Sequence, residues 1–260
     1  MKYLGGKQRL GKHLAPVIIE IWDCHKECLN GYLEPFCGSL GVFKHMTELS
    51  GARTIVANDY HADLIALWKA VQNDTFVYPK SISEEQYYAA KELPSPSAHK
   101  AFVGFGMSYG GRYFGAYSQK YLGDKIEDFC QEMTNSLKRT APLIQKSKVK
   151  FTNRQYQKIK PKKKLIYCDP PYEKTKYPIK YRRDVKHYDT FDNEEFWNIM
   201  REWSKDNVVI ISETQAPSDF KEIWNMDRYR SASQSTKTRF HEQNNTKTHD
   251  QEKLFVYVGN

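Results

Sequence analysis

Apolar residues at Leu14, Val17, Ile18 and Ile21 recur at three- and four-residue intervals and predict a helix over residues 10–28. The period then changes. Tyr32-Leu33-Glu34-Pro35 reads as a short strand breaking into a glycine-containing turn, Phe36-Cys37-Gly38-Ser39-Leu40-Gly41, with a helix expected beyond it to about Leu49. Thr54-Ile55-Val56-Ala57 is a second strand ending at Asn58-Asp59, and Ala62 to Gln72 returns to helical spacing. This alternation of strand, turn and helix predicts a parallel α/β sheet. It is interrupted over residues 76–140, which hold Pro79, Pro94, Pro96 and a glycine- and aromatic-rich tract from Gly104 to Tyr117, and which read as an insertion. The alternation resumes with Val149-Lys150-Phe151 and Leu165-Ile166-Tyr167-Cys168, a helix over Asn193 to Lys205, a buried strand from Val208 to Ser212 and a final strand from Leu254 to Val258. The polar stretch from Ser231 to Gln251 has no regular period and is expected to form a mobile loop. The division expected is a main domain of residues 1–75 and 141–260 with a smaller inserted domain of residues 76–140.

At 260 residues and 40% hydrophobic content, the chain can bury a sizeable core. No apolar run approaches the ~18 residues of a membrane span. Met1-Lys2-Tyr3-Leu4-Gly5 lacks the apolar stretch of a signal peptide, so a cytoplasmic protein is expected. Cys24 and Cys28 flank His25, but no second ligand pair follows at zinc-like spacing. The five cysteines are read as reduced core thiols, with no metal and no disulfide. Charge changes the picture more. Between Lys150 and Thr190 stand thirteen Lys or Arg against four Asp or Glu, a surplus equal to the net charge of +9 of the whole chain. Such concentration points to a polyanionic partner, although a solvated lysine face around Lys160 to Lys164 would give the same count.

The basic stretch surrounds Asp169-Pro170-Pro171-Tyr172, at the tip of the strand ending in Cys168. The two prolines are rigid. The acid and the Pro170 carbonyl can accept hydrogen bonds from an amino group, and the Tyr face can stack on a planar ring. An ordinary strand-end turn is the alternative for this tetrapeptide alone. The turn at Gly38 and Gly41 lets backbone amides approach a ligand closely. Asp59 follows the second strand, where an acid commonly grips ribose hydroxyls, or where it would simply cap the next helix.

Four patterns thus stand in order: Tyr3-Leu4-Gly5-Gly6-Lys7, Glu34-Pro35-Phe36-Cys37-Gly38-Ser39, Asn58-Asp59 and Asp169-Pro170-Pro171-Tyr172. In this order and spacing the chain resembles the Dam-type DNA adenine-N6 methyltransferases (D12 class, alpha group), especially their phage members. The resemblance extends to Phe191-Asp192, Ile211-Ser212-Glu213 and Glu252-Lys253-Leu254-Phe255-Val256-Tyr257. It implies a Rossmann-like S-adenosylmethionine-dependent fold, with a mostly parallel sheet, an antiparallel final strand and an inserted target-recognition domain. It implies that Tyr3, Lys7, Asp59 and Asp169 contact S-adenosylmethionine, with Gly6, Glu34, Pro35, Phe36, Cys37, Gly38 and Ser39 completing the cofactor site. One departure stands out: Phe151-Thr152-Asn153-Arg154-Gln155-Tyr156 lacks the acid that many members show there. Tyr156 is assigned to stack on the cofactor's adenine and Gln155 to bond its edge.

The implied reaction is direct in-line methyl transfer to the exocyclic N6 of an adenine flipped out of double-stranded DNA. Asp169, Pro170, Pro171 and Tyr172 are its catalytic residues, and neither Cys37 nor Cys168 acts as a nucleophile. Tyr109, Arg112, Tyr113, Lys138 and Arg139 are the expected DNA contacts of the insertion, though the aromatic tract also fits a hairpin packed on itself. Arg182, Arg183 and Lys186 are expected to grip phosphates. Glu213 and Arg239 are read only as orienting loops near the pocket. No obligatory protein partner is evident. The rival readings are an RNA methyltransferase, a protein-glutamine methyltransferase, against which Asp169 speaks, and a non-catalytic DNA-binding relative.

Overall fold

The computed structural model describes residues 1–118, 120–122, 125–146, 149–171, 191–228 and 250–259. Its main sheet contains Gly31–Glu34 (β1), Thr54–Asn58 (β2), Val149–Thr152 (β5), Lys164–Cys168 (β6), Val208–Glu213 (β7), Phe220–Arg228 (β8) and Asp250–Tyr257 (β9). Between β2 and β5 in sequence, Lys120–Leu122 (β3) and Lys125–Glu127 (β4) pair as a separate antiparallel hairpin. The sheet runs β5-β2-β1-β6-β7-β9-β8. Its first five strands are parallel, whereas β9 is antiparallel to both β7 and β8. The expected antiparallel final strand is β9.

Parallel strands covered on both faces need nearly continuous burial, and β1, β6 and β7 have it. The edge strand β5 alternates between buried and more exposed residues. Strand order reverses between β1 and β6. From β1 the sheet grows outward through β2 to β5, and from β6 it grows the other way through β7. Leu33 pairs with both Val56 and Ile166, so the loops leaving β1 and β6 emerge side by side. A crevice at this position is where parallel α/β sheets bind ligands.

The helices are Gly11–His25 (α1), Ala62–Gln72 (α2), Glu84–Lys91 (α3), Ala98–Gly106 (α4), Phe129–Lys146 (α5) and Asn193–Ser204 (α6). The helix expected to continue to Leu49 is absent; only a 3-10 turn, Phe43–His45, forms there. Gly38 has φ +45° and Leu40 φ +59°, which turn the chain away from a helix. A Cβ on Gly41 would lie 2.7 Å from the Lys7 carbonyl carbon, so the segment serves as the seat for the amino-terminal turn. The strand β8 was not expected either. A register shift between Glu222 and Trp224 breaks the two-residue alternation that would have announced it. Of the stretch expected to be a loop, residues 231–249 lie outside the described residues, while Asp250 and Gln251 belong to β9.

Buried Tyr87, Phe102, Phe105, Met133 and Leu137 share one hydrophobic cluster with Leu14, Trp68 and Leu165. Helices α3, α4 and α5 therefore extend the core that covers the sheet. Within this region one polar junction stands out. Asp63, buried in the first turn of α2, accepts hydrogen bonds from the Tyr113 hydroxyl (2.6 Å), the Ser95 hydroxyl (2.8 Å) and the Ser97 amide (2.6 Å). Replacing it removes the acceptor shared by three donors, of which Ser97 and Tyr113 are half-buried. Asp63→Ala should lower unfolding free energy by roughly 3 kcal/mol in urea titration; a loss below about 1 kcal/mol would contradict this role for Asp63.

Candidate functional site

The amino-terminal turn delivers a lysine to the end of β6. The Gly6 amide donates to the Tyr3 carbonyl at 3.0 Å, and the Gly11 amide to the Lys7 carbonyl at 2.7 Å, where α1 begins. A Cβ on Gly6 would meet the Ser39 hydroxyl at 2.8 Å, and the Gln8 side-chain amide donates to the Ser39 carbonyl at 2.6 Å. On Gly38 a Cβ would lie 3.1 Å from the Tyr3 ring. These contacts join the first two sequence motifs. The Lys7 Nζ, on a side chain 4% exposed, then stands 2.7 Å from Asp169 Oδ1 and 3.4 Å from Glu252 Oε1. Glu252 is fully buried and accepts a hydrogen bond from the Ser212 hydroxyl. Pro170 is buried and Pro171 half-buried beside Asp169; Tyr172 lies outside the described residues.

Two further carboxyls, Glu34 and Asp59, stand at the neighbouring strand ends. Glu34 is buried and accepts the Tyr32 hydroxyl at 2.7 Å. Burial pushes its pKa well above the ordinary carboxylate value; the Tyr32 hydrogen bond opposes this and the Asp169 charge reinforces it. Glu34 is therefore an acid that favours its proton, beside an Asp169 that is ion-paired. Asp59 accepts the Gly38 amide at 2.9 Å through Oδ2 and the His61 amide at 2.9 Å through Oδ1. Burial raises its pKa, and the amides of His61, Gly38 and Tyr60 offset part of that rise. The turn after β1 is thus tied to the acid after β2. Asn58 reinforces the same junction by donating to the Pro35 carbonyl (3.0 Å) and the Arg154 carbonyl (2.9 Å). Trp68 adds a bond from its indole to the Gly38 carbonyl at 2.9 Å.

An open pocket of about 510 Å³ lies next to this junction, lined by Tyr60, Asn153, Arg154, Gln155 and Lys158. The Asn153 side-chain amide bonds the carbonyls of Asp59 (2.9 Å) and Tyr60 (2.8 Å), which fixes the pocket to the acid. Gln155 lines it as an exposed residue. Tyr156 instead is buried, with its ring centroid 5.1 Å from Phe36, 5.8 Å from Phe191 and 5.9 Å from Phe196. Burial, then the charges of Glu195 and Asp192, raise its hydroxyl pKa. Phe36 belongs to the same ring cluster, so its side chain supports the turn from beneath.

All five cysteines are free thiols. Cys37, Cys130 and Cys168 are buried, but Cys24 and Cys28 are exposed on or just beyond α1 and are not core residues as expected. Burial is the largest cause raising the Cys37 and Cys168 thiols well above their ordinary pKa, which disfavours thiolate chemistry at either position. No group of three or more metal-ligating side chains occurs among the described residues, and none of their helices is long and apolar enough to cross a membrane.

Of the expected DNA contacts, Tyr109 is 61% exposed and precedes Gly110 at φ +65°. Arg112 is half-buried, and Lys138 and Arg139 are exposed on α5, Lys138 standing 5.3 Å over the Tyr78 ring. Tyr113 faces inward: its hydroxyl binds Asp63 and its ring meets the His61 ring edge-on at 4.3 Å. Arg182, Arg183, Lys186 and Arg239 lie outside the described residues. Glu213 is buried and its carboxylate bonds the following Thr214. The resemblance took in Ser212 and Glu252 without giving either a role, and the sequence singled out neither Asp63 nor His61. A usable signal existed for Glu252, because the alternation Glu252, Leu254 places both on one face of β9, and both are fully buried.

A family model described as D12 class N6 adenine-specific DNA methyltransferase matches residues 3–102 and 111–248. A search of curated proteins returned no match.

The raised Glu34 pKa has a testable consequence for stability. A carboxyl that prefers its proton when folded contributes stability below its unfolded value, and that stability falls as pH rises through the folded value. Glu34→Gln lacks this slope. The melting temperature of the variant minus that of the wild type should therefore increase as pH rises above the ordinary carboxylate range in calorimetric scans. A pH-independent difference would show that Glu34 is ionised in the native protein.

Proposed function

The chain belongs to the D12 class of N6 adenine-specific DNA methyltransferases, and from that premise we propose that it methylates adenine N6 in double-stranded DNA with S-adenosylmethionine at the β1/β6 crevice. The observation that carries this reading is the Lys7–Asp169 ion pair, 2.7 Å long, at the tip of a buried strand beside the glycine turn. The residues present suit the cofactor. Asp59, fixed by two backbone amides, offers a carboxylate to a ribose diol, and Gln155 offers an amide to a base edge in the adjoining pocket. The Tyr3 ring lies so close to Gly38 that a Cβ there would stand 3.1 Å from it. When bound, S-adenosylmethionine supplies a methyl group activated by its positive sulfur.

The chain's own residues do the positioning, which in such a transfer is most of the catalysis. An adenine amino group is a poor nucleophile because its lone pair is delocalised into the ring. Hydrogen bonds to the Asp169 carboxylate and the Pro170 carbonyl favour a pyramidal nitrogen with its lone pair directed outward. Lys7 orients that carboxylate and offsets its charge. The target nitrogen is inaccessible in a stacked duplex, so the base is extruded at a cost of a few kcal/mol. Tyr172 provides the ring on which it stacks, worth roughly 1–3 kcal/mol. Residues 76–140 form the target-recognition part, with exposed Tyr109 presented to the DNA and Tyr113 bracing its loop against α2. The basic stretch from Lys150 to Thr190 grips phosphates. We place the protein among stand-alone modifiers of phage type, acting in the cytoplasm.

Incubating purified protein with methyl-labelled S-adenosylmethionine and DNA or RNA, followed by nucleoside analysis, tests the reading directly. Label should appear as N6-methyladenine in DNA, and Asp169→Ala should reduce it by at least about a thousandfold while the protein still folds, as read by circular dichroism. Near-normal turnover in that variant would refute the assigned chemistry. Cofactor affinity should fall in Asp59→Ala and hold in Tyr172→Ala, as measured by calorimetry. DNA affinity should drop at least about tenfold between 50 and 200 mM salt; a flat response would exclude the basic rim as the DNA surface.

A further inference from the structure

We propose that Glu252 is a positioning residue for methyl transfer: it holds the Lys7 ammonium so that the ammonium, in turn, holds Asp169. The inference rests on the reading of Asp169 given above, and it starts from the direction of β9. Because β9 runs antiparallel to β7, its first residues lie at the same end of the sheet as the carboxyl ends of β6 and β7. Ser212 pairs with Leu254 across that junction, and the Ser212 hydroxyl bonds the Glu252 carboxylate. A strand that continued the parallel pattern would have carried its early residues to the opposite edge. The antiparallel course of β9 thus brings a third charge to the crevice.

Charge and burial then define its role. Glu252 is 0% exposed, Lys7 4% and Asp169 19%, so the ammonium lies between two carboxylates in a region of little water. The shorter contact is to Asp169 and the longer to Glu252. In such surroundings charges interact strongly and an unbalanced one is disfavoured. With Glu252 present, Asp169 is not the lysine's sole counter-ion and keeps its strength as an acceptor for an incoming amino group. Without it, the lysine loses a buried carboxylate contact, and more of the ammonium charge bears on Asp169. The backbone near Lys7 is closely packed: a Cβ on Gly41 would lie 2.7 Å from the Lys7 carbonyl carbon. Glu252 touches neither the base nor the cofactor in this scheme and acts through Lys7 alone.

The test uses the full-length enzyme and the variants Glu252→Gln, Lys7→Met, their combination and Ser212→Ala. Glu252→Gln should lower kcat roughly ten- to a hundredfold while KM for DNA and for the cofactor stays within about threefold. Calorimetric cofactor affinity without DNA should likewise change less than about threefold. In the Lys7→Met background the same substitution should change kcat by no more than about twofold, because its effect passes through the missing ammonium. Wild-type kcat in Glu252→Gln, losses that multiply in the double variant, or a loss confined to cofactor affinity would each overturn the proposal. Should Glu252→Gln fail to fold, Ser212→Ala decides. It loosens the carboxylate more gently, should lower kcat about three- to tenfold, and should lose that effect in Lys7→Met; an unchanged kcat would overturn the proposal. Asp169→Ala separates the two levels: an active Asp169→Ala defeats the functional reading, whereas an inactive one beside a normal Glu252→Gln defeats only the role of Glu252.

Discussion

The adjacency of β1 and β6 at the point where strand order reverses is the constraint on which everything else depends. Leu33 pairs with Ile166 in parallel register, and within two residues each strand ends, β1 at Glu34 and β6 at Cys168. Side-by-side exit of two parallel strands, without a helix crossing between them, opens a crevice that no other position in the sheet provides. Glu34 and Asp169 arrive there as neighbours, in different surroundings. One favours its proton beside a tyrosine hydroxyl, and the other stays close to a buried ammonium.

Once that register is set, the amino-terminal turn becomes intelligible. Gly6 approaches Ser39, Gly41 approaches Lys7, and Gly38 approaches Tyr3, so three small residues let two loops interlock. A side chain at any of them would push Lys7 away from Asp169. The same logic explains why the turn after β1 forgoes a full helix: the backbone there is used as a seat for another segment. The Asp63 junction works at longer range. It ties Ser95, Ser97 and Tyr113 to α2, while His61 at the head of α2 touches Tyr113 and, through its amide, Asp59. The candidate cofactor acid and the candidate recognition loop thus share one supporting helix.

Much of this was legible in the sequence where physics is local. Buried parallel strands announce themselves as continuous apolar runs, so β1, β2, β6 and β7 were found within a residue or two, and α2 at its observed limits. Family resemblance and chemistry singled out Lys7, Asp59 and Asp169, which the fold brings to neighbouring loops. The strand β8 was hidden by its bulge, and α3 was obscured by the surrounding prolines even though Ser83-Glu84-Glu85-Gln86 forms a capping box, with bonds of 3.2 and 2.8 Å. The roles of Glu252 and Asp63 were hidden for a different reason. A charged residue in a strand or helix looks solvent-facing until distant segments close over it, and only the tertiary structure supplies Lys7 to one and Tyr113 to the other. The packing of Tyr156 on Phe36 was likewise not legible, because the partner ring lies far away in the sequence.

The account turns on where the reacting base sits relative to Asp169. Once the methylated sequence has been identified, a crystal structure with that duplex and a non-reactive cofactor analogue measures this directly. The target adenine should be out of the helical stack, its amino nitrogen within hydrogen-bonding distance of the Asp169 carboxylate and the Pro170 carbonyl, with Lys7 still on Asp169. An adenine amino group bound by other side chains, or a cofactor analogue lodged away from Asp59 and the Gly38 turn, would contradict it.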